Sequence, residues 1–82
     1  MPKYVAALYS EHGSLTSLDK ARADAVKISM RNNGRMVYVN RDELGNPYGV
    51  VFPVKDKWIW EPRWGKSVQR IINPRTGKII KD

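Results

Sequence analysis

An amphipathic helix pattern limits the fold of this chain most strongly, because a lone helix must cover its apolar side with another element. Residues 17–32 carry apolar side chains at helical spacing, with Thr16 before them as a candidate N-cap and the helix-ending pair Asn33-Gly34 after them. Asp19, three positions after Thr16, matches the spacing of a capping box. Small alanines within the stripe predict close packing on a β-sheet. The stripe consists of Leu18, Ala21, Ala25, Val26, Ile28 and Met30.

Four other segments show the alternation of side chains that is typical of β-strands. In the first of them, residues 3–10, the side chains that would point to either face of a sheet are mainly apolar, which predicts a central strand. Pro53, in the third segment, has no backbone N–H to donate to a neighbouring strand. We therefore expect this segment to be an edge strand at that residue or to contain a β-bulge there. The order β-α-β-β-β predicts an α+β fold, a single domain over residues 1–82 with one helix on an antiparallel sheet. The predicted strands are residues 3–10, 35–40, 48–54 and 57–61.

The remaining segments are predicted as turns, except for a C-terminal stretch that has two interpretations. Residues 11–15 are predicted as a turn around Gly13. Residues 67–72 fit either a short helix capped by its first residue or a strand. Residues 73–77 have the composition of a turn, in which Gly77 permits a positive φ. We expect residues 78–81 to pair back on the preceding segment as a C-terminal hairpin.

Length and composition bound the class of protein. A chain of 82 residues with 41% hydrophobic content supports one domain with a small core. The chain has no cysteine, which excludes a disulfide scaffold and the usual zinc modules and fits a reducing cytoplasm. Its first apolar run, residues 4–8, is too short for a secretory signal, and no stretch approaches the roughly 20 apolar residues that span a bilayer. We therefore expect a cytoplasmic protein without a membrane partner.

Positive charge is concentrated near the C-terminus. The formal net charge is +7, and residues 55–82 contain eight of the 15 Lys and Arg residues together with all three tryptophans. Mobile cations mixed with flat aromatic rings suit a polyanion with stacking faces, which predicts sequence-nonspecific binding of nucleic acid, either DNA or RNA. Simple solvation of a small basic protein is the alternative explanation. The candidate nucleic-acid-binding residues are Lys57, Arg63, Trp64, Lys66, Arg70, Arg75 and Lys78, and the next candidates are the helix cations Lys20, Arg22, Lys27 and Arg31.

The three tryptophans have both structural and functional interpretations. Trp58 and Trp60 share one face of a strand, so both are expected to be buried or both exposed, with at least one in the core. Trp64 lies in the loop Pro62-Arg63-Trp64-Gly65-Lys66, between two cations. It is either a contact residue on the surface or a further core residue.

Sequence patterns for catalysis are missing. The lone His12 stands in a polar turn, and nothing around it marks a nucleophile elbow. The Gly77-Lys78 pair departs from a phosphate-binding loop, which requires glycine where Ile72 stands and Ser or Thr where Ile79 stands. We therefore expect no enzyme, no metal site and no cofactor.

In size and order of elements, over residues 3–10, 16–34 and 35–61, the chain is similar to small bacteriophage accessory proteins, including host-takeover factors and some anti-CRISPR inhibitors. No diagnostic motif accompanies this likeness, so it transfers no functional residue. It implies a non-enzymatic inhibitor or adaptor that covers a surface of a host enzyme or nucleoprotein complex. The second hypothesis is therefore a phage-type inhibitor or adaptor that docks on an acidic surface of a host protein, anchored by Trp64 and a sheet edge. The oligomeric state is left open.

Overall fold

Residues 3–42, 45–66 and 68–80 are described in the structure, a computed structural model, and they form six strands and one helix. The elements are β1 Tyr4–Leu8, β2 Glu11–His12, α1 Leu18–Arg31, β3 Val37–Arg41, β4 Asn46–Val54, β5 Lys57–Pro62 and β6 Arg70–Ile72. All strand pairs are antiparallel, and the order across the sheet is β2-β1-β3-β4-β5-β6. The predicted α+β fold, with one helix on an antiparallel sheet, is confirmed. The observed element order is β-β-α-β-β-β-β. It differs from the predicted order by the additional strand β2, while β6 belongs to the predicted C-terminal hairpin.

The strand positions agree with the sequence patterns except at β2. β1 lies between β2 and β3, which confirms its central position. The prediction of a turn over residues 11–15 was wrong for Glu11 and His12, which pair back on the end of β1. A strand of two residues is too short to show a period of two. β4 pairs with β3 as far as Val51, so beyond that point it has a strand partner in β5 alone, as expected from the proline at position 53.

The helix begins at a different cap from the predicted one. Ser17 is the N-cap, and its hydroxyl accepts from the backbone N–H of Lys20 at 3.3 Å. Thr16 instead exchanges two backbone hydrogen bonds with Tyr4, of 2.7 and 2.8 Å, and is therefore held as a β-bridge. The predicted capping box was wrong, because Asp19 lies two positions after the true cap. The helix ends as predicted at the Asn33-Gly34 pair, where both residues have positive φ.

One side of the helix forms the core with β1, β3 and β4. Ala21 and Ala25 have no exposed surface, so the predicted close packing on the sheet is confirmed. Met30 is 66% exposed, which makes the apolar stripe narrower than predicted. The buried core cluster consists of Tyr4, Ala6, Leu8, Ala21, Ala25, Val26, Ile28, Val37, Val39, Val51, Trp60 and Ile72.

Trp58 and Trp60 both point to the helix side of the sheet. Trp60 is 3% exposed and belongs to the core, while Trp58 is partly buried against it. The Trp60 ring lies over Gly49 on the neighbouring strand, where a Cβ would stand 2.2 Å from the ring carbon Cη2. A side chain at position 49 would therefore displace the largest core residue.

The C-terminal segment folds as a hairpin over its described residues. β6 pairs with β5, and after a turn at residues 73–77 the chain returns so that Ile79 forms a bridge with Ile72. The N–H of Ile80 donates to the carbonyl of Ile71 at 2.8 Å. The hairpin prediction is confirmed here, and the alternative of a short helix is wrong for residues 68–72. Residues 67 and 81 of that prediction lie outside the described residues.

Glu11 connects the short strand β2 to the end of the helix. Its carboxylate accepts from Asn32 Nδ2 and from Arg31 Nε, each at 2.8 Å. The hydrogen bonds from Asn32 and then Arg31 lower the pKa of Glu11 below its ordinary value of 4.5. A lowered pKa in the folded state means that the ionised carboxylate stabilises the fold. That stabilisation is complete above the ordinary pKa and disappears as the pH falls through the lowered value.

Replacing Glu11 with Gln is therefore expected to lower the thermal midpoint at neutral pH, with a difference from wild type that shrinks below about pH 4. Thermal melts followed by circular dichroism across this pH range measure the difference directly. Asp56→Asn, at an exposed residue of the β4–β5 turn, is the matched control. A difference that stayed constant as the carboxylate was protonated would contradict this role for Glu11.

Candidate nucleic-acid interface

The seven predicted binding residues are all exposed, but they do not form one patch. Residues 63–66, which we call the tryptophan loop, follow β5. Lys57 begins the same strand, and its distance along β5 from the loop is about 20 Å. The region after β6 packs beside α1 and carries another pair of the predicted cations. The tryptophan loop contains Arg63, Trp64 and Lys66, β6 carries Arg70, and the region after β6 contains Arg75 and Lys78.

The ring of Trp64 is exposed, and its indole N–H is held by a hydrogen bond. Its side chain is 65% exposed, which excludes the core interpretation. The indole Nε1 donates to the carbonyl of Pro47 at 3.0 Å, and the N–H of Arg63 donates to the carbonyl of Tyr48 at 2.8 Å. These hydrogen bonds tie the tryptophan loop to the start of β4. The ring is therefore held in one orientation with most of its surface in solvent.

Arg63 extends across the sheet face opposite the helix. Pro62 pairs with Gly49 on the helix side, so the alternation of side chains places Arg63 on the open face. Its Nη2 lies 3.9 Å from the sulfur of Met36, just before β3, with β4 between them. Tyr38, on the same open face, is 43% exposed. This face was not recognised from the sequence, because alternation alone does not say which side the helix covers.

The turn after β6 is fastened to the helix by Arg22. The Nε of Arg22 donates to the carbonyl of Gly77 at 2.6 Å, and its Nη2 forms an ion pair with Asp19. The guanidinium also lies over the ring of Trp60, 5.2 Å from the centroid. Gly77 has a φ of +73°, and a Cβ there would stand 1.8 Å from the carbonyl oxygen of Asp19. The turn therefore contacts the helix backbone directly.

Arg22 is buried, so it is not a surface cation as predicted. It is 4% exposed, and burial lowers the pKa of its guanidinium while the Asp19 carboxylate acts in the opposite direction. The sequence carried a signal for this role. Arg22 stands four positions after Leu18 and four before Val26, within the apolar stripe, where a cation indicates a buried partner. Its partner, the carbonyl of Gly77, is 55 positions away and could not be identified from spacing.

The docked turn and the helix enclose a polar groove with a volume of about 400 Å³, which we call the helix groove. Lys20 and Lys27 line one side, and Arg75 and Lys78 line the other. Of the four helix cations proposed from sequence, these two lysines form no ion pair with another described residue, whereas Arg31 forms one with Glu11. The structure thus brings predicted cations of the C-terminal region next to cations of the helix.

Further features of the described residues concern the surroundings of His12, groups of metal-ligating side chains and membrane-spanning helices. His12 is exposed on the edge strand β2. Across residues 3–42, 45–66 and 68–80, no three His, Cys, Asp or Glu side chains gather as metal ligands, and no helix is long and apolar enough to cross a membrane. Comparison with protein-family models, curated proteins and solved structures found no match. A functional hypothesis therefore depends on the geometry of the surface itself.

Proposed function

We propose that the protein binds single-stranded nucleic acid, with Trp64 as a stacking platform and the neighbouring cations as phosphate contacts. The observation that carries this proposal is the combination of 65% exposure of Trp64 with the hydrogen bond from its Nε1 to Pro47. A large ring held in one orientation loses little conformational entropy when a base stacks on it. Stacking tolerates any base, which suits binding without sequence preference.

Three of the predicted cations lie in the loop that carries this ring or on the strand that follows it. Arg63 and Lys66 lie in the tryptophan loop and Arg70 on the adjacent edge strand, and all three are exposed. Ion pairs within residues 3–42, 45–66 and 68–80 join Arg22 to Asp19 and Arg31 to Glu11, and neither uses these three cations. Available cations beside an aromatic platform favour a phosphate backbone with unstacked bases.

A single strand fits this surface better than a duplex. Bases of a duplex are already stacked on each other, so Trp64 can stack with an unpaired base. The helix does not serve as a recognition helix, because its apolar side packs on the sheet and Arg22 and Arg31 have partners within the protein. Both DNA and RNA single strands satisfy these requirements.

Replacing Trp64 with Ala is expected to weaken single-strand binding by about 1–3 kcal/mol, which corresponds to about 5- to 150-fold in Kd. Thermal stability should change little because the ring is mostly in solvent. Fluorescence anisotropy with labelled oligo(dT) and oligo(U), at low and moderate salt, measures the affinity, and a thermal melt measures stability. The matched control is Tyr9→Ala, which removes an aromatic ring that is 75% exposed at the opposite end of the sheet.

Equal affinity losses in the two variants, or a large loss of stability in Trp64→Ala, would contradict the stacking role. Charge reversal of Lys66 and Arg70 should also reduce the log–log salt slope by about 0.7 for each lost contact with a single strand. Absence of any salt-dependent binding by the wild-type protein would overturn the proposal. Docking on an acidic surface of a host protein would then be the hypothesis to test.

A further inference from the structure

The helix groove concentrates positive charge that originates from distant parts of the sequence. Lys20 and Lys27 are seven positions apart on α1, so they lie on one side of the helix about 10 Å from each other. Arg75 and Lys78 face them from the turn after β6. All four residues are exposed, and none of them takes part in the ion pairs formed among the described residues.

Carboxylates at the groove neutralise little of this charge. Asp19 lines the groove, but its charge is balanced by the buried guanidinium of Arg22. Asp24 also lines it, and its carboxylate lies against Gly13 in the segment before the helix. Four cations therefore face one carboxylate that has no ion pair within the described residues. Mutual repulsion of the cations would be relieved by a bound anion.

The groove also offers hydroxyl donors. The Ser17 hydroxyl oxygen accepts from the N–H of Lys20, and the Thr76 hydroxyl oxygen accepts from the N–H of Lys78, each at 3.3 Å. Because a hydroxyl group has one hydrogen and two lone pairs, each O–H is still able to donate to an oxygen of a ligand. Cations together with hydroxyl donors match the oxygen atoms of a phosphate group.

The groove has a fixed width. The hydrogen bond from Arg22 to Gly77 and the close approach of Gly77 to Asp19 hold the turn against the helix. The side chain of Asn73 also closes the turn by accepting from the N–H of Arg75 at 2.8 Å. A groove built in this way needs little reorganisation to receive a ligand, which favours binding.

We propose that the helix groove binds phosphate groups and serves as a second contact surface for the nucleic-acid backbone. This inference rests on the proposed function. The groove lies on the helix side of the sheet, whereas Arg63 extends over the open face. β6 is the last strand of the sheet, and Arg70 on it is exposed, so a nucleic-acid strand that reaches both surfaces would pass this cation. The groove thus accounts for cations that lie away from the tryptophan loop.

The test uses inorganic pyrophosphate alone and, separately, oligo(dT). Pyrophosphate titrated into isotope-labelled protein should shift the amide signals of Lys20, Thr76 and Lys78, with little change in the tryptophan loop. The double variant Lys20→Gln/Lys78→Gln should abolish these shifts and reduce the salt slope for oligo(dT) by about 1.4, at about 0.7 per contact. Lys3→Gln, at an exposed lysine outside the groove, is the control for loss of a positive charge.

The outcomes separate this inference from the proposed function. Pyrophosphate shifts in the groove without binding of oligo(dT) would support the phosphate site and overturn the nucleic-acid proposal. Binding of oligo(dT) that depends on Trp64, with no groove shifts and a double variant whose salt slope equals that of wild type, would overturn the groove alone. Shifts spread evenly over surface lysines, including Lys3, would also overturn it.

Discussion

Replacing Ala25 with Asp is expected to unfold the protein, because it places an unpaired charge between the helix and the sheet. Ala25 has no exposed surface and belongs to the core cluster. An uncompensated buried charge costs about 3–5 kcal/mol, and the stability of domains is about 5–15 kcal/mol, with small domains toward the lower end. Circular dichroism should show loss of helix and strand signals, and the thermal transition should disappear or move far down in temperature.

The matched control introduces the same residue on the solvent side of the same helix. Met30→Asp replaces a side chain that is 66% exposed, so the protein should remain folded. A cooperative Ala25→Asp transition at the wild-type temperature would contradict the packing of the helix on the sheet. Unfolding of both variants would show that an aspartate in the C-terminal half of this helix unfolds the protein whether the position is buried or exposed.

Replacing Gly77 with Ala is expected to release the C-terminal turn from the helix. The φ of +73° disfavours a side chain, and the new Cβ would collide with the helix backbone at Asp19 and Ala23. A left-handed conformation of a residue with a Cβ costs about 1–2 kcal/mol and overpacking about 1–3 kcal/mol more. We therefore expect a loss of about 3 kcal/mol, equivalent to a fall of about 12–24 °C in Tm.

Gly45→Ala is the control that separates the two costs. Gly45 has a φ of +76°, and among the described residues other than its chain neighbours no atom lies within 4 Å of the position that a Cβ would take. This variant should therefore lose about 1–2 kcal/mol from conformation alone. Release of the turn also has a second readout, because it opens the helix groove. Gly77→Ala should therefore lose the pyrophosphate shifts, whereas Gly45→Ala should keep them. Equal effects of the two substitutions would contradict the docking of the turn.

Arg22 shows why the docked turn and the core depend on each other. Its guanidinium contacts an acid on its own helix, a carbonyl of the C-terminal turn and the ring of Trp60. A buried cation is stable when each of its donors has a partner, and its loss leaves those partners unsatisfied. The residue therefore couples the helix groove to the core, although its charge makes it resemble a surface residue in the sequence.

Local patterns predicted most of the secondary structure, because the spacing of apolar residues depends on the nearest neighbours along the chain. The helix end at Asn33-Gly34 and the common face of Trp58 and Trp60 follow from backbone geometry of this kind. The helix start was misplaced by one residue. Thr16 and Ser17 are both good caps, and the bridge from Thr16 to Tyr4, a contact between distant parts of the chain, decided between them.

The sequence by itself determined the α+β class, the antiparallel hairpins and the accumulation of cations and tryptophans near the C-terminus. The tertiary structure decided which of those residues share a surface. It buried Trp60 and Arg22, left Trp64 in solvent, and brought the turn at residues 73–77 to the helix. The physical reason is range: periodicity acts over a few residues, whereas burial depends on contacts such as that between Arg22 and Gly77, which are far apart along the chain.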